Sequence, residues 1–163
     1  MAKTPRLYFN RRFDAVEAHI EFLEKMYRTT PGVKSKFNGI ALHPYTTTFK
    51  RLKPDIEEIR AVLKKVKDPS KGIWITELGW SSSSGSAGNS FAKGPAGQAQ
   101  QLKGAFSLLV KNQRKWRIQR VYWFSIDDYG AACNFCDGSG LFGQGFAPKQ
   151  SWYAYVKFAG GTP

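Results

Sequence analysis

The sequence predicts an α/β fold of parallel strand-helix-strand units, on three observations. Amphipathic segments of helical length alternate with short apolar runs, and each apolar run turns polar at its C-terminal end. The first two of those ends, His43 and Glu77, lie 34 residues apart, a fitting length for one unit with a right-handed crossover. About three parallel strands alternating with four helices are therefore expected, in a single domain over residues 1–163.

The first twelve residues are basic and carry no clear period, although Arg6-Leu7-Tyr8-Phe9 is compatible with a short strand. Asp14 with Glu17 imitates a capping box, and Val16, His19, Ile20, Leu23, Met26 and Tyr27 keep helical spacing. His19, on that stripe, reads as a hydrogen-bonded helix residue. Pro31-Gly32 ends the helix, and Gly39-Ile40-Ala41-Leu42-His43-Pro44-Tyr45 is a short strand that turns polar. Pro54 and Asp55 start the next helix, with Ile56, Ile59, Val62, Leu63 and Val66 on one face and lysines at its end.

Ile73-Trp74-Ile75 reads as a strand buried on both faces, and it delivers Glu77 to its C-terminal tip before Gly79 and a serine-rich loop break the pattern. An unpaired carboxylate taken out of water costs on the order of several kcal/mol, so Glu77 is either a paired structural residue or part of a site. Ser81 to Gly97 is a long Ser/Gly loop, and a connection of that length is functional or mobile. It is not a domain boundary, because Pro95 opens another helix with Ala99, Leu102, Phe106, Leu109 and Val110 on its buried face. Arg120-Val121-Tyr122-Trp123-Phe124-Ser125-Ile126 forms the third strand, leading into Asp127 and Asp128. A short helix around Trp152-Tyr153-Ala154-Tyr155-Val156 closes the chain.

A hydrophobic fraction of 42% is that of a globular chain, and no apolar run approaches the ~18 residues of a membrane span. The N-terminal residues lack the apolar stretch of a signal peptide, so an export signal is expected to be absent or removed, and localisation stays undetermined. A formal charge of +13 favours contact with something anionic. The cations are scattered, however, and many sit at helix ends (Lys64, Lys65 and Lys67; Lys111, Arg114, Lys115 and Arg117), where they complement the dipole. A basic solvated surface is expected, with no specific nucleic-acid partner. Cys133 and Cys136 lack two further ligands at zinc spacing and do not open a helix as a thioredoxin pair would. They form a disulfide in an oxidising compartment or two free thiols otherwise. No metal and no cofactor are expected.

Taken in order, Leu42-His43-Pro44-Tyr45, Trp74-Ile75-Thr76-Glu77-Leu78-Gly79-Trp80 and Val121-Tyr122-Trp123-Phe124 resemble strands six, seven and eight of the (β/α)8 barrels of retaining glycoside hydrolases. The clan is clan A, which includes families 5 and 39, and the likeness is closest to bacterial family 39-like proteins. It runs from Phe13 onward and takes in Lys93-Gly94-Pro95-Ala96-Gly97-Gln98-Ala99 and the Cys133 to Cys136 loop. The resemblance implies a partial TIM barrel, roughly strand five to helix eight. It makes Glu77 the nucleophile, has His43 and Tyr45 orient it, and makes Trp123 the aromatic floor under the sugar. Plain alternatives stand beside these: His43 as a strand end, Tyr45 as a loop anchor, Trp123 as barrel core, and Trp80 as either a sugar contact or packing.

Retention needs two carboxylates about 5 Å apart, and the family's acid/base is the Glu of an Asn-Glu pair on strand four. This chain contains no Asn-Glu; Asp127 and Asp128 are the remaining candidates at a strand tip. Three strands also leave two unpaired edges. The resemblance therefore implies a carbohydrate substrate or ligand, and either self-association or a missing N-terminal barrel half. Competing readings are a non-catalytic carbohydrate-binding protein, an esterase-type hydrolase and a nucleotide binder. The esterase is disfavoured because Gly79-Trp80-Ser81-Ser82-Ser83 lacks the second glycine of a nucleophile elbow. The nucleotide binder is disfavoured because Gly138, Gly140, Gly143 and Gly145 do not form a phosphate-binding fingerprint.

Overall fold

The computed structural model describes residues 14–85, 89–128 and 136–162. The elements run α1 (Asp14–Thr29), β1 (Gly39–Leu42), α2 (Leu52–Lys65), β2 (Gly72–Ile75), α3 (Gly94–Lys111), the single turn α4 (Gln113–Trp116), β3 (Ile118–Val121), the short strands β4 (Phe142–Gly143) and β5 (Ala147–Pro148), and α5 (Gln150–Phe158). The main sheet has the order β1-β2-β3 with both pairs parallel, so the expected three-strand α/β arrangement is present. β4 and β5 form a separate antiparallel ribbon. The segment Arg6 to Phe9 lies outside the described residues.

The third strand is displaced from its expected position. It starts at Ile118 and ends at Val121. Arg117, in the left-handed region at φ 55, separates it from α4, and the polar pair Gln119-Arg120 hides its start from an apolar-run reading. Beyond Val121 the chain still hydrogen-bonds alongside β2. The Tyr122 N–H donates to the Ile75 carbonyl at 2.9 Å and the Phe124 N–H to that of Leu78 at 2.9 Å.

The sheet is covered on one face. Leu42, Ile73, Ile75 and Ile118 are buried there against Leu52, Ile56, Ile59 and Leu63 of α2 and Ala105 and Leu109 of α3. Each fully buried aliphatic side chain contributes roughly 1.5–3 kcal/mol, so this layer carries much of the chain's stability. A second cluster joins α3 to α5 through Leu102, Phe106, Leu141 and Ala154.

On the other face Ala41, Trp74 and Arg120 are register neighbours and all three are exposed. The expectation that the Trp74 strand is buried on both faces is thus corrected. Trp74 is 39% exposed, its indole N–H donates to the Gln119 side chain, and Arg120 lies 5.9 Å from its ring. An uninterrupted Ile-Trp-Ile run suits two-sided burial, but among the described residues only one side has a cover.

At the N-terminal end of the strands a polar cluster ties the units together. Lys71 donates to the Lys34 and Phe37 carbonyls at 2.5 and 2.6 Å and pairs with Asp68 at 3.4 Å, and Tyr27 donates to Asp68 at 2.9 Å. Burial, and then Asp68 beside it, push the Tyr27 phenol well above its ordinary range. His19 does not form the expected hydrogen bond among the described residues. It is largely exposed but lines a groove beside β1, and its partial desolvation there, with His43 adding to it, holds its imidazole below the ordinary value. Among the described residues no helix is long and apolar enough to cross a membrane.

Candidate active site at the C-terminal rim of the sheet

Leu42 of β1 and Ile75 of β2 are register partners, and the Thr76 N–H still donates to the Leu42 carbonyl at 3.1 Å. His43 and Glu77 therefore leave adjacent strands at the same rim. Pro44 lies in a tight turn in which the Tyr45 N–H donates to the His43 carbonyl at 2.8 Å. The Tyr45 hydroxyl then donates to Glu77 Oε2 at 2.7 Å, and His43 Nδ1 lies 3.4 Å from the same oxygen. Both contacts fall on Oε2; Oε1 has no hydrogen-bond or ion-pair partner among the described residues. The Glu77 side chain is 34% exposed. His43, Phe91 and Phe124 meet the Tyr45 ring edge-on, each at 6.4 Å between centroids, which limits where its hydroxyl can point.

The residues after Glu77 are fixed by packing. Leu78 and Trp80 are fully buried, and a Cβ on Gly79 would fall 2.3 Å from the Phe124 carbonyl oxygen, so only glycine fits between the two chain segments. Trp80 donates its indole N–H to the Thr46 carbonyl at 2.7 Å. With no exposed surface, it belongs to the packing side of its two expected roles and is corrected as a sugar contact. Trp123 is half-buried beside it, the two rings 6.1 Å apart, and its indole N–H donates to the Ser139 carbonyl at 2.9 Å.

Asp128 is not available as a substitute acid. Its carboxylate accepts from Lys149 at 2.8 and 3.0 Å and from the Gly140 N–H at 2.8 Å, a part-buried clamp on the loop after β3. Cys136 is disulfide-bonded, while Cys133 lies outside the described residues. Among the described residues no group of three or more His, Cys, Asp or Glu could hold a metal ion.

Three contributors escaped the sequence reading: Lys149, Ser139 and Gln98. Gln98 is fully buried and donates through Nε2 to the carbonyls of Trp80, Gly138, Ser139 and Gly140 at 2.8, 3.0, 3.2 and 3.3 Å. The signal was present: Gln98 shares the helical face of Ala99, Leu102 and Phe106, where a polar residue needs a partner.

The sequence model of the glycosyl hydrolase catalytic core matches residues 6–153. The chain belongs to that family. No curated protein sequence matches it. Among solved structures, this hydrolase core is similar to a thermostable mutant of a xylanase from Cellvibrio japonicus (18% identity, TM-score 0.60, covering 87% of this chain and 44% of that one). It is also similar to a family 39 glycoside hydrolase from Bacteroides cellulosilyticus (19%, TM-score 0.58, 83% and 29%). A third is an intracellular xylanase from Thermoanaerobacterium saccharolyticum (20%, TM-score 0.51, 86% and 39%). At these identities the likeness is one of fold: a TIM-barrel glycosidase fragment spanning less than half the length of each relative.

Proposed function

We propose that this glycosyl hydrolase core cleaves glycosidic bonds by a retaining mechanism in which Glu77 is the nucleophile. The observation that carries the reading is the asymmetric environment of the carboxylate. Tyr45 and His43 both engage Oε2, and Oε1 is left to attack. As the bond from Oε1 to the anomeric carbon forms, the bond to the leaving oxygen breaks, and that oxygen takes a proton from a carboxylic acid about 5 Å from Glu77. Water then hydrolyses the glycosyl ester with the same acid acting as base. Tyr45 holds the plane of the carboxylate, and the face of Trp123 supports the apolar side of a pyranose. The substrate is a carbohydrate, with xylan-type chains the first to test, since two of the similar structures are xylanases.

The sequence holds no Asn-Glu pair and Asp128 is committed to Lys149, so the acid is taken to come from a second barrel portion rather than from Asp127, the other strand-tip carboxylate. The site is completed when another barrel portion, either a second copy or an N-terminal half, closes on the open face of the sheet. Supporting this, the outer edges of β1 and β3 have no strand partner among the described residues. Each is flanked by an apolar groove: about 330 Å³ beside β1, next to the 68% exposed Phe22, and about 230 Å³ beside β3, next to the 58% exposed Val110. Size-exclusion chromatography with light scattering tests it. The expected result is a species heavier than the 18.3 kDa chain, alone or on adding a separately expressed N-terminal half. A strict monomer that captures no such half contradicts it.

The missing Asn-Glu pair favours a second reading, a carbohydrate-binding protein without turnover. Glycan binding that survives Glu77→Gln but not Trp123→Ala, with no covalent labelling of the wild type, would select it.

A further inference from the structure

We infer that Gln98 is a positioning residue for Trp123, fixing the indole through the loop after β3. Its place in the fold is unusual for a glutamine. It sits in the second turn of α3, fully buried, and its one amide nitrogen faces four carbonyl oxygens from two different loops. One, from Trp80, follows the strand that carries Glu77. The other three, from Gly138, Ser139 and Gly140, belong to a single stretch after β3.

Oε1 accepts no hydrogen bond among the described residues, so the donor end alone sets the orientation of the amide. A carboxamide has one end that only donates and one that only accepts, and four converging carbonyls select the nitrogen. The Gly138 carbonyl also accepts from Lys149 and the Ser82 N–H, and that of Ser139 from the Trp123 indole, so among the described residues it is the Trp80 and Gly140 carbonyls that would be buried without a donor, at a cost on the order of 1–3 kcal/mol each.

The link to the rim runs through Ser139. Its carbonyl accepts from Gln98 Nε2 at 3.2 Å and from Trp123 Nε1 at 2.9 Å. Its residue is fully buried, and its hydroxyl donates to the Cys136 carbonyl at 2.9 Å. Lys149 and Asp128 hold the flanks of the same stretch, at the Gly138 carbonyl and the Gly140 N–H. Gln98 is the contact that reaches the middle from beneath, at the carbonyl on which the Trp123 indole is anchored. The inference rests on Trp123 being the sugar platform for its functional meaning, but not for its geometry.

The test is amide-type hydrogen exchange at the tryptophan indole N–H groups, read by nitrogen-proton correlation spectra of the full chain. In the wild type the Trp123 indole should be protected relative to a free indole, as should that of Trp80 on Thr46. In Gln98→Met, which keeps volume but donates nothing, Trp123 exchange should accelerate roughly tenfold while Trp80 changes little. Gln98→Glu, which puts an acceptor against the four carbonyls, should do the same or more. A merely structural glutamine would loosen both indoles together, and that outcome, or unchanged exchange at Trp123, overturns the inference. If both variants fail to fold, Gln98→Asn, which shortens the donor's reach, is scored on the same two indoles: faster exchange at Trp123 alone supports the inference, and unchanged exchange there, or equal loosening of both, overturns it. Labelling of Glu77 by an activated fluoro-sugar is scored separately, so a failed glycosidase reading is distinguishable from a failed anchor.

Discussion

The Tyr45 hydroxyl donates to Glu77 Oε2 at 2.7 Å across the tips of two adjacent parallel strands, 32 residues apart in sequence. That bond makes one oxygen of the carboxylate a fixed acceptor and leaves the other free, which is the arrangement a carboxylate nucleophile needs.

Removing the phenol should therefore impair reaction without unfolding the chain. A hydrogen bond to a charged group contributes about 1.5–3 kcal/mol, so Tyr45→Phe should slow covalent labelling of Glu77 on the order of 10- to 100-fold. Thermal unfolding should barely move, because the ring contacts with Phe91 and Phe124 remain. Stopped-flow or mass-spectrometric labelling rates check this; an unchanged rate would make Tyr45 only a loop anchor.

The two faces of the sheet should respond differently to truncation. Ile75→Ala removes a fully buried side chain and should cost about 2–5 kcal/mol in urea unfolding. Trp74→Ala, on the open face beside it, should cost the isolated chain less than about 1 kcal/mol and should weaken assembly instead. Equal losses in the isolated chain would mean that the open face is covered.

Stability should fall on mild acidification. The His19 imidazole is held below its ordinary value of 6.5, chiefly by burial, so the unfolded chain binds a proton more readily than the folded one. The stability this group supplies is complete above about pH 6.5 and is lost as the pH falls through the lower folded value. Urea midpoints measured from about pH 7.5 to 5.5 should drop, and His19→Gln should flatten part of that drop.

Breaking the clamp on the loop after β3 should cost more than a surface ion pair would. Lys149 and Asp128 are 13% and 17% exposed, and Lys149→Met strands a carboxylate that, among the described residues, is then held only by the Gly140 N–H. A loss on the order of 3 kcal/mol in chemical denaturation is expected. A loss below about 0.5 kcal/mol would show the pair to be solvated.

Much of this was legible in the sequence, for reasons that differ by residue. Helical periodicity placed α2 to within two residues and the start of α3 at Pro95, because their buried stripes are nearly pure Leu, Ile, Val, Ala and Phe; the cations through Arg117 suggested a longer α3 than the one that ends at Lys111, and Val110, expected on its buried face, is 58% exposed. The rim was legible because parallel strands end in step, so His43 and Glu77 had to emerge together. Trp80 was ambiguous because hydropathy does not say which side of a loop an indole faces. The start of β3 was obscured by Gln119 and Arg120, which face the uncovered side of the sheet. Gln98 was passed over because a periodicity reading treats a polar residue on an apolar stripe as noise, when its burial beside four carbonyls is the informative fact.

The claim that Glu77 is a nucleophile can be tested apart from the source of the acid. A deoxyfluoro-xyloside carrying a dinitrophenolate leaving group needs no protonation to depart, so only the attacking carboxylate is required. The full chain, alone and with any assembled partner, should gain the mass of one deoxyfluoro-xylosyl group on the peptide containing Glu77, and Glu77→Gln should gain none. An unlabelled wild type in both states, or a label on any other residue, would contradict it.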